Sequence, residues 1–414
     1  MPALENLRIY QCYNLEITSL DGLIAPRLRK LDGAGLGLTS IQALAGCTAL
    51  EAVSIEGNEQ LGDISPLQAS VASLKQLDFS RTAVRDLSVL AQAGELEELD
   101  FGCCPKLTSL KGLETLTITQ EHTFSINGLK NLTDLQYLPK LGSADLRISE
   151  LDELTSLEGI ECAADQITSL YIDTMPKLKD VEALRKLQRL ETLSISNCPQ
   201  LSSLEVIGEL SALWTVDFRD CKRLTKLTAV WPVTLASIAV ETCPITQLGS
   251  LPSTFNGSLN LAKCSKLKSL EGIEACTGLQ EITIRPSVTD LQALTGLPDV
   301  VIHIDCSDRY AERTLPDALI NALAALPQCH LRISNGNSWG MRINNPEVLS
   351  RITHLRSLDL SECDLDDLLP VMGLSELELL KILPRSELSK KLGGCTFDTP
   401  GQVAKLQLQL LGMG

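Results

Sequence analysis

Between Leu190 and Leu204 the chain reads LETLSISNCPQLSSL, and the arrangement of apolar residues in this stretch recurs along most of the sequence. Leu193 and Ile195 alternate with Thr192, Ser194 and Ser196, the period of two that marks a short strand with one buried and one wetted face. Cys198 ends the strand, and Leu201 and Leu204, three residues apart, suit a tight 3₁₀-like return toward the next strand. One such unit cannot bury its leucines alone and needs copies stacked on both sides.

Aligning the chain on the cysteine position gives Cys12, Leu36, Asn58, Thr82, Cys104 and Glu121, a less regular run through Leu146 and Met175, then Cys198, Cys221, Cys243 and Cys264. Most steps are 21 to 25 residues, and Cys363 takes the same slot further on. Asn58, in LEAVSIEGNEQL, shares the slot with the cysteines, and here the pattern resembles the leucine-rich repeat, L-x-x-L-x-L-x-x-N/C-x-L. The resemblance implies an α/β solenoid, a right-handed β/α superhelix with a parallel concave sheet and a mostly 3₁₀ or irregular convex side. The short repeats most resemble the bacterial, internalin-like kind. It also implies a structural ladder in which Cys12, Asn58, Cys104, Cys198, Cys221, Cys243, Cys264 and Cys363 donate to backbone carbonyls of neighbouring turns. Thiols donate more weakly than amides, so the cysteines are expected to act mainly by fit and burial. Leu36, Glu121 and Leu146 offer no small donor; local irregularity is expected there, and the register from Thr119 to Thr168 stays open.

After Leu291 the step lengthens. Residues 314–326, TLPDALINALAAL, have Thr314 as a cap, Pro316 near the first turn, and Leu315, Leu319, Leu323 and Leu326 at helical spacing. Residues 346–355 repeat the signal, with Asn345 as cap and Pro346 at the first helical position. Between strands near Ile304, Ile333 and Leu360 this part resembles the longer ribonuclease-inhibitor repeat. The expected plan is one solenoid over 1–414, with short repeats to 290, helix-containing repeats over 291–388 and a C-terminal cap over 389–414. Entry into the first strand by Leu4, with no helix or hairpin ahead of it, leaves an open edge, for which the expectations are a second subunit that covers it, residues missing upstream, or a frayed first repeat.

Only 3% of residues are aromatic, so an aliphatic core is expected. A formal net charge of -16 argues against nucleic acid or an anionic membrane surface as partner and favours a basic protein face. No apolar run is long enough to span a bilayer, and MPALENLRIY lacks a signal-peptide pattern, so a cytoplasmic protein is expected. Seven of the fourteen cysteines share the repeat slot, which favours reduced, buried thiols over disulfides. The N-glycosylation matches at Asn131 and Asn256 then carry no meaning. The four histidines are scattered, the glycines of DGAGLGL precede no P-loop lysine, and ECDLDDLL lacks calcium-loop spacing. Cys103 beside Cys104 reads as an incidental exposed thiol. No enzyme, cofactor or metal site is expected.

Outward strand positions give a wall of Ser and Thr interrupted by charge. The candidate partner-binding residues are Glu56, Asp78, Glu98, Asp100, Tyr171, Asp173, Asp217, Arg219, Glu241 and Asp359, with Glu281 adding to the carboxylates and Arg8 and Arg285 opposing them. Tyr10 and Trp339 are further aromatic candidates. The expected function is a non-catalytic scaffold or recognition subunit of bacterial origin that binds a basic protein. The alternatives are an inhibitor or immunity protein against a basic toxin or nuclease, or a leucine-rich-repeat effector acting on host proteins.

Overall fold

The computed structural model describes residues 3–9, 17–120, 122–228, 230–307, 314–334 and 341–411. Tyr10, Cys12, Glu121 and Trp339 lie outside the described residues. The chain divides into two compact units, one of Met1–Leu201 with Glu209–Leu213, the other of Ser202–Gly208 with Trp214–Gly414.

In unit 1, strands β1 (Asn6–Arg8), β2 (Lys30–Asp32), β3 (Ala52–Ser54), β4 (Gln76–Asp78) and β6 (Glu98–Asp100) form a parallel sheet in that order. A parallel run follows of β8 (Phe124–Asn127), β10 (Asp145–Ser149), β11 (Ser169–Asp173) and β12 (Thr192–Ser196). Between them the regular ladder is interrupted, and β5 (Glu95–Leu96), β7 (Thr117–Ile118) and β9 (Lys140–Leu141) make a separate small sheet. Alternation decides the faces: Leu31, Val53, Leu77 and Leu99 align in register and are buried, while their neighbours on either side stay wetter.

Unit 2 continues the plan with β13 (Thr215–Arg219), β14 (Ser237–Glu241), β15 (Asn256–Asn260), β16 (Gly278–Ile284), β17 (Val301–Asp305), β18 (Cys329–Ser334), β20 (Leu355–Leu360) and β22 (Leu379–Ile382), all parallel. A second ladder pairs β19 (Met341–Arg342) with β21 (Cys363–Asp364). At the C-terminal end α2 (Glu387–Leu392) leads to β23 (Thr396–Phe397), antiparallel on β22, and to α3 (Pro400–Leu411). Val403, Leu406 and Leu410 of α3 are buried, and Gln407 Nε2 donates to the carbonyls of Val371 and Leu374 at 2.9 and 3.1 Å. The repeats form leucine-rich-repeat solenoids of the α/β class, with a parallel strand per repeat on one side and short 3₁₀ turns such as Gln42–Gly46 and Glu182–Lys186 on the other.

One backbone feature sets the repeat register. From Leu36 to Cys264 the residue before the ladder slot is left-handed: Gly35, Gly57, Arg81, Cys103, Gly128, Glu150, Thr174, Asn197, Asp220, Thr242 and Lys263; Glu362, before Cys363, is not. This corrects the cysteine-based alignment. Leu129 and Leu151 hold the slots, following Gly128 and Glu150, whereas Leu146 sits inside β10 as a buried strand residue. Leucine in both places gave the alignment no contrast to work with.

The convex helices also differ from expectation. α1 spans Asp317–Ala324, its preceding residue is Pro316, and no side chain caps it. Thr314 Oγ1 instead accepts from Asn344 Nδ2 at 3.2 Å. The second segment is a 3₁₀ helix, Pro346–Arg351, and Asn345 does not cap it. The Asn345 amide bridges to the neighbouring repeat, accepting from Leu315 N and donating to Leu315 O, both at 2.9 Å. The core is not purely aliphatic. Phe79, Phe101, Phe124, Phe218 and Phe255 are fully buried, and in unit 1 the rings of Phe79, Phe101 and Phe124 follow one another at 6.2 and 6.1 Å between centroids.

Candidate functional site

The ladder slots show how one position is satisfied by two chemistries. Asn58 is fully buried; its Nδ2 donates to Gly33 O at 3.0 Å and Ile55 O at 2.7 Å, and its Oδ1 accepts from Gly37 N at 3.0 Å and Leu38 N at 2.8 Å. A thiol offers a single weak donor. Cys104 Sγ donates to Phe79 O at 3.4 Å, Cys264 Sγ to Val240 O at 3.0 Å and Cys363 Sγ to Ile333 O at 3.3 Å, each reaching back one repeat. Cys243 Sγ lies 3.9 Å from Phe218 O, and Cys198 and Cys221 point to the carbonyls of Ser196 and Arg219. Burial pushes the thiols of Cys198 and Cys264 up to about 12, so they stay protonated.

The same strands carry the outward face. In unit 1 two rows run across five strands: Asn6, Lys30, Ala52, Gln76 and Glu98 in one, and Arg8, Asp32, Ser54, Asp78 and Asp100 in the other. Glu98 and Asp100 are exposed and Asp78 is half-buried. Among the described residues none of these three carboxylates makes an ion pair, whereas Glu56 lies 3.9 Å from Arg81. Asp78 and Asp100 have a local task as well. Asp78 Oδ1 accepts from Ser80 N and Ser80 Oγ at 3.0 and 2.7 Å, and Asp100 Oδ1 accepts from Gly102 N at 2.9 Å. Asp359 does the same for Ser361 N at 3.0 Å and Asp305 for Ser307 N at 3.0 Å. The motif Asp-x-Ser/Gly, which hydropathy does not reveal, turns the chain out of the strand, and at Asp305 the second carboxylate oxygen is engaged as well, accepting from Ser307 Oγ at 2.9 Å.

Beyond the sheet interruption in unit 1 the outward positions of β8, β10, β11 and β12 are mostly Ser, Thr and Asn, with Asp145, Arg147 and Asp173 as charges and Tyr171 as one aromatic ring. The Arg147 guanidinium stands 5.5 Å from the centre of the Tyr171 ring. Burial works against the Asp173 charge, but donors on Ser196, Asn197 and Thr174 outweigh it and hold the carboxyl below its ordinary range.

In unit 2 three of the predicted carboxylates, Asp217, Glu241 and Asp359, are matched by cations. Arg219 grips Asp217 in a fork, Nε to Oδ1 at 2.9 Å and Nη2 to Oδ2 at 2.8 Å. Glu241 Oε2 is 3.5 Å from Lys263 Nζ, and Lys381 Nζ is 3.6 Å from Asp359 Oδ2. Arg332 and Glu362 approach to 3.3 Å. Such surface pairs add little stability, but they cancel the charge a partner would sense.

Two features of unit 2 escaped the hydropathy pattern. Trp214, just ahead of β13, is 59% exposed. His303 on β17 is hydrogen-bonded on both sides, with Nε2 at 2.5 Å from the buried Ser334 Oγ and Nδ1 at 3.3 Å from Thr283 Oγ1. Burial, then the nearby Arg332, lowers the imidazole's proton affinity against the pull of Glu281, Asp305 and Glu362. Among the described residues no three His, Cys, Asp or Glu side chains gather as a metal site, and no helix is long and apolar enough to cross a membrane.

No family model matches the chain. No curated protein matches it. Solved structures resemble it at low identity: an internalin (inlF) of Listeria monocytogenes is 17% identical, covering 81% of this chain and 87% of its own, with a TM-score of 0.40. The functional domain of InlJ from Listeria monocytogenes, described as including a cysteine ladder, is 17% identical over 81% of this chain and 66% of its own, TM-score 0.35. A leucine-rich-repeat protein of Leptospira interrogans is 17% identical over 91% of this chain and 93% of its own, TM-score 0.32. The fold assignment stands on the strands, slots and turns described above.

Proposed function

We propose that the chain is a non-catalytic protein-binding scaffold that receives a basic protein surface on the outward face of unit 1. One observation carries this reading: Asp78, Glu98 and Asp100 stand together on adjacent strands with no ion pair among the described residues, while Asp217, Glu241 and Asp359 of unit 2 are matched. Unmatched charge on a wide sheet steers association and sets its salt dependence, and a net charge of -16 strengthens the field. The buried thiols of the ladder suit a reducing, cytoplasmic setting.

Affinity capture from the native host tests it, using the intact chain and a variant with Asp78→Asn, Glu98→Gln and Asp100→Asn. The asparagines keep the turn-forming oxygen while removing charge. A stoichiometric basic partner, held at low salt and lost both at high salt and in the variant, is the expected result. Retention of the same partner by the variant would overturn the reading.

A further inference from the structure

The outward face of unit 1 is not uniformly acidic. Its centre is a depression whose floor is made by the short side chains of Ala52 and Ser54 on β3. Arg8 and Lys30 rise on the β1 and β2 side with Asp32 in register beside Arg8, two cations against one carboxylate, and Gln76, Asp78 and Glu98 rise on the β4 and β6 side. Lys30 forms no ion pair among the described residues, as is true of Asp78 and Glu98. We propose that this depression docks a bipolar segment of a partner protein, an anionic side chain toward Arg8 and Lys30 and a cationic side chain toward Asp78 and Glu98.

The geometry fixes the spacing. Neighbouring strands lie about 4.8 Å apart, so the middle of the cationic side and the middle of the acidic side are separated by roughly three spacings, about 14 Å. Four residues of extended chain cover about that distance. The lined surface is an open saddle, floored but unroofed, and so lacks the enclosure by which pockets hold small molecules. It suits a ridge of polypeptide. A uniformly basic segment would set its own cations against Arg8 and Lys30, and like charges brought together discriminate strongly against a partner. The inference rests on the reading of this face as the docking surface and narrows the partner from basic overall to basic with an acidic residue at a defined offset.

Two immobilised peptides serve as probes at low salt: acetyl-Glu-Ala-Ser-Ala-Arg-amide, with its charges four residues apart, and acetyl-Ala-Ala-Ser-Ala-Arg-amide. The intact chain is expected to bind the bipolar peptide about three-fold more tightly, the size of one exposed ion pair. Lys30→Glu is expected to erase or reverse that preference, while Asp78→Asn with Glu98→Gln weakens both peptides. Equal binding of the two peptides by the unaltered chain, or binding of neither, overturns the bipolar inference. The scaffold reading fails separately, through retention of the host partner by the uncharged variant.

Discussion

The side-chain oxygen of Asn58 lies 2.8 Å from the backbone nitrogen of Leu38, one coil earlier, and the same amide nitrogen reaches back to Gly33 O. That earlier coil has Leu36 in its own slot, and among the described residues Asn58 supplies the side-chain bonds to Gly37 N and Leu38 N that close its turn. Asn58→Ala would strand buried donors and acceptors on both coils, at about 1–3 kcal/mol for an unsatisfied group. We expect a loss of about 3 kcal/mol in urea unfolding, with amide exchange accelerated first around Gly37 and Leu38. Cys264→Ala, which removes one weak donor and one sulfur, should cost less than half as much. Equal losses would mean that the slot works by filling space alone.

Left-handed backbone at the slot's leading residue is costly for a β-branched side chain. Thr242 has φ 56 and an exposed side chain. An L-residue in this region costs about 1–2 kcal/mol, against which glycine gives back about 0.5–1 kcal/mol through its freer unfolded state. Thr242→Gly is therefore expected to raise stability by about 0.5–1 kcal/mol, read as a higher melting temperature. A lower melting temperature would show that Thr242 makes a contact outweighing the strain.

The strands and their faces were legible because period-two alternation is local: Leu193 and Ile195 declare their side wherever they lie. The slots at Leu129 and Leu151 were not, since what marks them is the left-handed turn at Gly128 and Glu150, a property of backbone angle rather than hydropathy. Asn345 carried a cap signal that a longer-range bridge to Leu315 overrode. Few aromatics suggested an aliphatic core, yet composition cannot report that Phe79, Phe101 and Phe124 fall in consecutive repeats and meet. On the outward face the carboxylates could be counted from sequence, but their neutralisation could not. Asp359 is matched because Lys381 falls opposite it in register.

Thiol reactivity separates the ladder from the surface. Cys103 and Cys162 are exposed, whereas burial raises Cys198, Cys264 and Cys329 to about 12. Brief treatment of the folded chain with iodoacetamide at pH 8, followed by peptide mapping, should find Cys103 and Cys162 alkylated and these three intact. In urea all five should react. Early modification of Cys198 or Cys264 in the folded chain would mean that the ladder opens locally.

His303 links folding to pH. Its proton affinity is lowered first by burial and then by Arg332, beyond what Glu281, Asp305 and Glu362 restore, so its folded pKa lies below the unfolded value of about 6.5. The unfolded chain therefore takes up the proton first as pH falls. The contribution is fully present above about pH 6.5 and is lost progressively below it, toward the depressed folded value. Charging the ring also sets it against Arg332 and requires Ser334 Oγ and Thr283 Oγ1 both to accept from it. Urea unfolding followed at pH 7.5 and pH 5.5 should show a fall in midpoint that shrinks in His303→Gln, which keeps a polar group between the two hydroxyls without the titration. An equal fall in the variant would place the acid sensitivity elsewhere and leave His303 as a pH-independent strut of the β16–β18 face.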